Sequence, residues 1–179
     1  MLRIFTTQLS GIFQQIQKDE EMNIEDASRA LAQAIVGEGS IYLHGIGEMS
    51  ALVTEGLLGK DSLPKSNPLF HEDKIVKLSS IDRVILAVRS TDNEEVRELL
   101  KQIKETGASI ILLASKGKES NETIEQIADF FINLNVTQGL VPQDDGTRRG
   151  FPATIVMLYT YYALLLTTIE IVEEQEENF

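Results

Sequence analysis

Two short segments hold the residues whose types and spacing could do chemistry: HGIGEMS at positions 44–50 and RSTDN at positions 89–93. Each follows an apolar run and precedes a helical pattern, so backbone N–H groups and the positive end of a helix dipole would converge there. That combination binds anions. In the first segment Gly45 and Gly47 would let the backbone approach a ligand, and Ser50 offers a hydroxyl. In the second, Ser90, Thr91 and Asn93 supply two hydroxyls and an amide able to donate to phosphate oxygens. Each feature also has a purely structural use. The glycines can make a tight turn, Ser50 can cap a helix, and Thr91 or Asp92 can cap the next one, with Glu94 and Glu95 answering its dipole. The first segment is no dinucleotide fingerprint, because the third glycine of G-x-G-x-x-G would fall on Ser50, and it has no lysine to make a Walker loop.

The elements around these segments follow from periodicity. Leu2, Phe5, Leu9, Ile12, Phe13 and Ile16 fall three and four apart and define one face of a helix. A second helix is expected from Ile24, with Asn23 as its N-cap and Gly37 and Gly39 ending it. A short strand at 41–43 turns at Gly45 into a helix over 50–58, and 59–67 reads as an exposed loop. The residues up to Leu78 are ambiguous, with 75–78 able to form a short strand. Then DRVILAV, SIILLAS and DFFINLNV read as strands, separated by an amphipathic helix over 94–105 and a short helix over 121–128. After GLVPQDDGTRRGFP a long apolar helix is expected over about 152–172.

Continuous apolar strands alternating with helices imply a parallel sheet covered on both faces. The expected fold is therefore α/β, a three-layer αβα, doubly wound sheet of about five strands with long N- and C-terminal helices. One domain is expected over 1–179, with N-terminal helices at 1–36, a core at 37–136 and the final helix at 151–173. Ligands of such sheets sit at the carboxyl ends of the strands, where both segments fall.

Composition narrows the function. With 28 acidic and 16 basic residues the net charge is −12, which disfavours nucleic acid and anionic lipid as partners. There is no cysteine, so disulfides and thiolate chemistry are excluded, and a reducing cytoplasm fits. The N-terminal residues interrupt their apolar run with Thr6, Thr7, Gln8 and Ser10, unlike a signal peptide. The uncharged stretch 150–169 has the length of a membrane span, but it carries four threonines and three tyrosines and runs into acidic residues, so a buried helix is expected instead. Two histidines 27 positions apart and scattered carboxylates lack metal-ligand spacing, and no cofactor or metal is expected. Arg148 and Arg149 could approach a phosphate or form a solvated basic pair.

GIGEMSALVTEGL after a strand resembles the G-x-G-x-S-x-x-x-A segment of sugar isomerase (SIS) domains. DRVILAVRSTDNEEVRELLKQIKETGASIILLAS resembles their D-x-x-I-x-x-S-x-S-G-x-T-x-E segment and the strand that follows. The resemblance spans about 23–136 and implies a phosphosugar held by Gly45, Gly47, Ser50, Ser90, Thr91, Asn93 and Ser115 in a flavodoxin-like fold. Thr91 and Asp92 depart from the family pattern, and a carboxylate beside a phosphate would oppose it. Single-domain phosphoheptose isomerases are similar in length and helices. They imply an acid/base glutamate, which VTEGLLGK maps to Glu55, and a histidine on the last helix. No histidine follows His71, so His44 could substitute for the second group if it points into the crevice, with the tyrosines of the last helix as weaker candidates because their pKa lies far above neutral. Three readings follow: phosphosugar binding with no turnover, aldose–ketose phosphate isomerisation, or an assembly module. The resemblance also implies a homodimer or homotetramer.

Overall fold

The protein is described by a computed structural model covering residues 1–92, 94–117 and 122–177. Helices α1 (Leu2–Asp19) and α2 (Glu21–Val36) lead into strand β1 (Ile41–Gly45), a 3₁₀ turn (Gly47–Ser50) and helix α3 (Ala51–Leu58). Strand β2 (Ser66–Pro68) and a small antiparallel hairpin, Phe70–His71 with Lys74–Ile75, come next. The chain continues through β3 (Arg83–Ser90), α4 (Glu94–Glu105), β4 (Ser109–Ser115), α5 (Glu122–Ile127) and β5 (Phe130–Asn133). A second hairpin, Val141–Pro142 with Arg148–Arg149, precedes the long helix α6 (Ala153–Glu177).

The five sheet strands run in the order β2-β1-β3-β4-β5, and every neighbouring pair is parallel. Side-chain alternation splits the interior into two layers, as a strand of period two requires. Leu43, Ile85, Ala87, Ile111 and Leu113 face Ile16, Leu31, Leu52 and Met157 of α1, α2, α3 and α6. Val84, Leu86, Val88, Ile110 and Leu112 face Val96, Leu100 and Ile124 of α4 and α5. The α/β fold with a five-stranded parallel sheet is as the sequence predicts.

Because β1 lies between β2 and β3, the chain leaves it toward α3 on one face, whereas β3 leads to α4 on the other. The order of the strands reverses between β1 and β3, and a crevice opens where the two following loops diverge. Both chemical segments of the sequence sit at this point.

Several expectations are corrected. Helix α2 begins at Glu21, not Ile24, because Glu20 alone separates it from α1 and is itself buried. Asn23 therefore lies inside the first turn and donates to Glu20 Oε2 at 2.8 Å instead of capping. The exposed loop expected at 59–67 gives way at Ser66 to an edge strand, whose proline is tolerated at the sheet margin. The segment before the last helix forms a hairpin, and α6 runs on to Glu177, beyond the expected end. By length and composition α6 could cross a membrane. Its stripe of Val156, Met157, Thr160, Tyr161, Leu164 and Leu165 is buried in the first layer.

Candidate functional site

The first loop is shaped by close backbone contacts. The Ile46 N–H donates to the Ala87 carbonyl of β3 at 3.0 Å, and the Met49 N–H turns back to the Ile46 carbonyl at 3.2 Å. Gly47 takes a φ of +62°, a left-handed conformation that glycine adopts without a steric penalty. Met49 is wholly buried and anchors the turn, which leaves Gly47, Glu48 and Ser50 at the surface.

The second loop is anchored from inside. Thr91 is fully buried; its N–H donates to the Ser115 carbonyl at 3.1 Å, and its Oγ1 accepts the Gly117 N–H at 3.0 Å. Ser115 is 2% exposed and its Oγ accepts the Val136 N–H at 2.9 Å. The Thr91 hydroxyl thus ties the end of β3 to the end of β4, and the Ser115 hydroxyl ties β4 to the segment after β5. Ser90 is half-buried, and its Oγ accepts the Asp92 N–H at 3.3 Å.

Between the loops lies an open crevice of about 480 Å³ lined by Ile46, Gly47, Glu48, Val88, Arg89, Ser90 and Asp92. Of the residues singled out in the sequence, Gly47 and Ser90 therefore line it. Gly45 is buried beneath the turn, Ser50 is exposed beside it, and Asn93 lies outside the described residues. Glu48 and Arg89 were not foreseen. Arg89 Nε donates to Glu48 Oε1 at 2.6 Å and Nη2 to Oε2 at 2.8 Å, a two-pronged ion pair that joins one loop to the other. The bond from Arg89 holds the Glu48 carboxyl below its ordinary pKa, and Glu48 raises that of Arg89. A larger groove of about 730 Å³ runs between α1, α2 and α6, and it contains no residue of either loop.

Glu55 and His44 stand apart. Glu55 sits on α3 in the first layer and accepts the Tyr162 hydroxyl of α6 at 2.5 Å, which holds the phenol protonated by raising its pKa. His44 lies on the opposite face of the sheet, between the side chains of Tyr42 and Ile46, with its ring 4.6 Å from that of Phe70. Neither lines the crevice. Arg148 is committed to the hairpin, donating from Nε to the Gly139 carbonyl at 2.6 Å and from Nη2 to the Leu140 carbonyl at 3.0 Å. Among the described residues no group of three acidic or histidine side chains could hold a metal.

Burial lowers the His44 pKa from its ordinary value of about 6.5. Unfolded His44 gains a proton near that pH while the folded residue stays neutral to lower pH. The unfolded state then binds more protons, so this contribution to stability is present above pH ~6.5 and is lost as pH falls below it. The urea midpoint is expected to fall between pH 7.5 and 5.5, and His44→Gln should flatten that fall; an unchanged slope would assign it to other groups.

The uncharacterized protein YwjG of Bacillus subtilis (strain 168) is 41% identical over 174 residues, covering 97% of this chain and 99% of that protein. Among solved structures, the hypothetical protein MJ1247 from Methanococcus jannaschii, described as inferring a 3-hexulose-6-phosphate isomerase function, superposes with a TM-score of 0.61 at 18% identity over 98% of this chain and 90% of its own. The sugar isomerase domain of the RpiR transcription factor from Sphaerobacter thermophilus gives 0.59 at 15% identity over 99% and 98%. The protein c3406 of E. coli CFT073, in complex with a sugar phosphate, gives 0.62 at 15% identity over 93% and 87%. These likenesses show a shared fold, that of sugar isomerase domains. The family described as Domain of unknown function (DUF2529) matches residues 1–172, and the chain belongs to it.

Proposed function

We propose that the protein binds a phosphorylated sugar in the crevice between the loops after β1 and β3 and does not isomerise it. The observation that carries this reading is the convergence of the two loops at the reversal point of the sheet, with Gly47, Arg89 and Ser90 lining one cavity. Exposed backbone N–H groups of the first loop, the hydroxyls of Ser50 and Ser90, and the amide of Asn93 are the proposed donors to the phosphate. Thr91 and Ser115 act through the packing of the loop rather than by contact. Support comes from neighbours of the same fold, one whose structure is described as inferring a 3-hexulose-6-phosphate isomerase function and one in complex with a sugar phosphate. The proposal extends to a cytoplasmic homodimer or homotetramer that covers the apolar residues exposed on α1 and α6, among them Leu2, Ile4, Ile155 and Leu166.

The absence of turnover rests on separation. Glu55 and His44 belong to opposite layers, so they cannot share one proton-transfer geometry, which needs reach of about 2.6–3.2 Å to the same substrate. One observation favours the second reading, a phosphoheptose isomerase-like activity: the Tyr162 hydroxyl on Glu55 supplies a proton-bearing partner on α6 in place of the missing histidine. Isomerisation that survives Glu55→Gln would exclude Glu55 as its base.

Thermal unfolding against sugar phosphates of four to seven carbons, with free sugars and inorganic phosphate as controls, tests the binding reading. A ligand at 100 times its Kd adds about 2.7 kcal/mol, which at this chain length raises the melting temperature by about 5–11 °C. Stabilisation by sugar phosphates alone is the expected result. No shift across the panel in a folded oligomer would leave assembly as the role of the fold.

A further inference from the structure

We propose that Arg89 is the residue that captures the anionic group of the ligand, and that Glu48 is its resting partner, which the ligand must displace to enter the crevice. The inference deepens the phosphosugar reading and rests on it. Its starting point is the position of the pair. Glu48 belongs to the loop after β1 and Arg89 to the end of β3, they are 41 residues apart, and both line the cavity.

The guanidinium edge that matters is already in use. Nε and Nη2 form the fork that matches two oxygens of a carboxylate, and the same fork matches two oxygens of a phosphate. Glu48 therefore occupies the contact that an anionic ligand would take, as a built-in stand-in for it. Among the described residues that line the crevice Arg89 is the cation, and Glu48 is the carboxylate paired with it. A phosphate carrying about −1.5 to −2 charges that entered beside the intact pair would find the fork taken and a carboxylate next to it. If Glu48 swings outward, the ligand gains the fork and loses the nearest like charge in one movement.

The exchange is cheap. Arg89 and Glu48 are 62% and 36% exposed, and ion pairs in such settings shift an equilibrium by no more than about five-fold. Glu48 sits on the 3₁₀ turn next to Gly47, so its side chain can rotate into solvent without disturbing the buried Met49. A neutral sugar has nothing to offer Arg89 and would leave the pair closed. The device thus favours dianionic phosphate over a free sugar.

Isothermal titration of the full chain with inorganic phosphate, and with whichever sugar phosphate stabilises it most, reads the proposal through a double-mutant cycle. Glu48→Gln is expected to tighten binding about three- to five-fold by freeing Arg89. Arg89→Gln is expected to weaken it about 10- to 100-fold through loss of a charge-assisted fork. In the Arg89→Gln background, Glu48→Gln should change affinity by less than about two-fold, because no cation remains to be released. Both side chains are exposed, so unliganded melting temperatures should stay close to that of the unmodified chain and serve as the folding control. A gain from Glu48→Gln that persists without Arg89 would reduce the effect to simple repulsion and overturn the exchange. Wild-type affinity in Arg89→Gln would overturn it too, while leaving the phosphosugar reading in place. If neither the unmodified chain nor Glu48→Gln binds any phosphate, the phosphosugar reading fails and this inference falls with it.

Discussion

Replacement of Asp82 by alanine is expected to lower the unfolding free energy by about 1.5–3 kcal/mol, because it removes a buried carboxylate that accepts three hydrogen bonds. Asp82 is 7% exposed. Its Oδ1 accepts the Ser40 N–H at 2.9 Å, and its Oδ2 accepts both the N–H and the hydroxyl of Ser79 at 2.8 Å. A backbone bond from Arg83 N–H to the Ser40 carbonyl, at 2.9 Å, completes the clasp. The carboxylate therefore ties the entry of β1 to the entry of β3, at the end of the sheet opposite the crevice. Ser79 is exposed and Ser40 half-buried, so water can reach the two backbone N–H groups and the hydroxyl left behind, and the loss is that of hydrogen bonds to a charged group. At two to four degrees per kcal/mol the melting temperature should fall by about 3–12 °C. Asp82→Asn keeps one acceptor but turns an amide NH₂ toward one set of donors, so an intermediate loss is expected. Urea unfolding at neutral pH measures both; a loss below about 1 kcal/mol for alanine would mean that water replaces the carboxylate.

The clasp also bears on what could be read in advance. β3 and β4 were legible because DRVILAV and SIILLAS are buried on both faces and therefore continuous in apolar residues. β2 was not, because its three residues Ser66, Asn67 and Pro68 carry no apolar signal and are held to β1 by backbone pairing. The two hairpins were not legible because each of their strands is only two residues long, too short to show a period of two. Position along the sequence located both loops of the crevice, since glycine and short hydroxyl residues after an apolar run mark a turn that can face a ligand. Direction was beyond it. The β3–β4 register shifts between Ala87 and Ser90, and Thr91 enters the interior to meet Gly117. Nothing in the string RSTDN distinguishes that hydroxyl from its neighbour.

Pairing was equally hidden. Glu48 and Arg89 meet only because β1 and β3 are adjacent, which depends on strand order and not on either loop. His44 and Glu55 are 11 positions apart but sit on opposite sides of the sheet, since His44 follows the parity of Tyr42 and Ile46 while α3 packs on the other layer. A family resemblance can map each residue separately, but it cannot say that a strand residue and the helix after it share a ligand.

Gly45→Ala is expected to cost about 3 kcal/mol or more, at or above the upper end of overpacking losses, and to abolish phosphate binding. A methyl group at Gly45 would lie 2.0 Å from the Met49 carbonyl oxygen, 2.3 Å from its carbon and 2.7 Å from the Ser50 nitrogen. All three are backbone atoms of the turn, so no side-chain rotation relieves the clash. The turn must move, and with it Gly47 and Glu48, which line the crevice. Gly47→Ala isolates the other property of glycine. A methyl group there meets open space, and only the φ of +62° is strained, a penalty of about 1–2 kcal/mol. Urea unfolding combined with phosphate titration should therefore order the variants, with Gly45→Ala less stable and unable to bind, and Gly47→Ala milder on both counts. The reverse order would place the rigid element at Gly47. Equal stability of Gly45→Ala and the unmodified chain would show that the turn yields freely, and a turn that yields freely could not hold Glu48 against Arg89 as a resting partner.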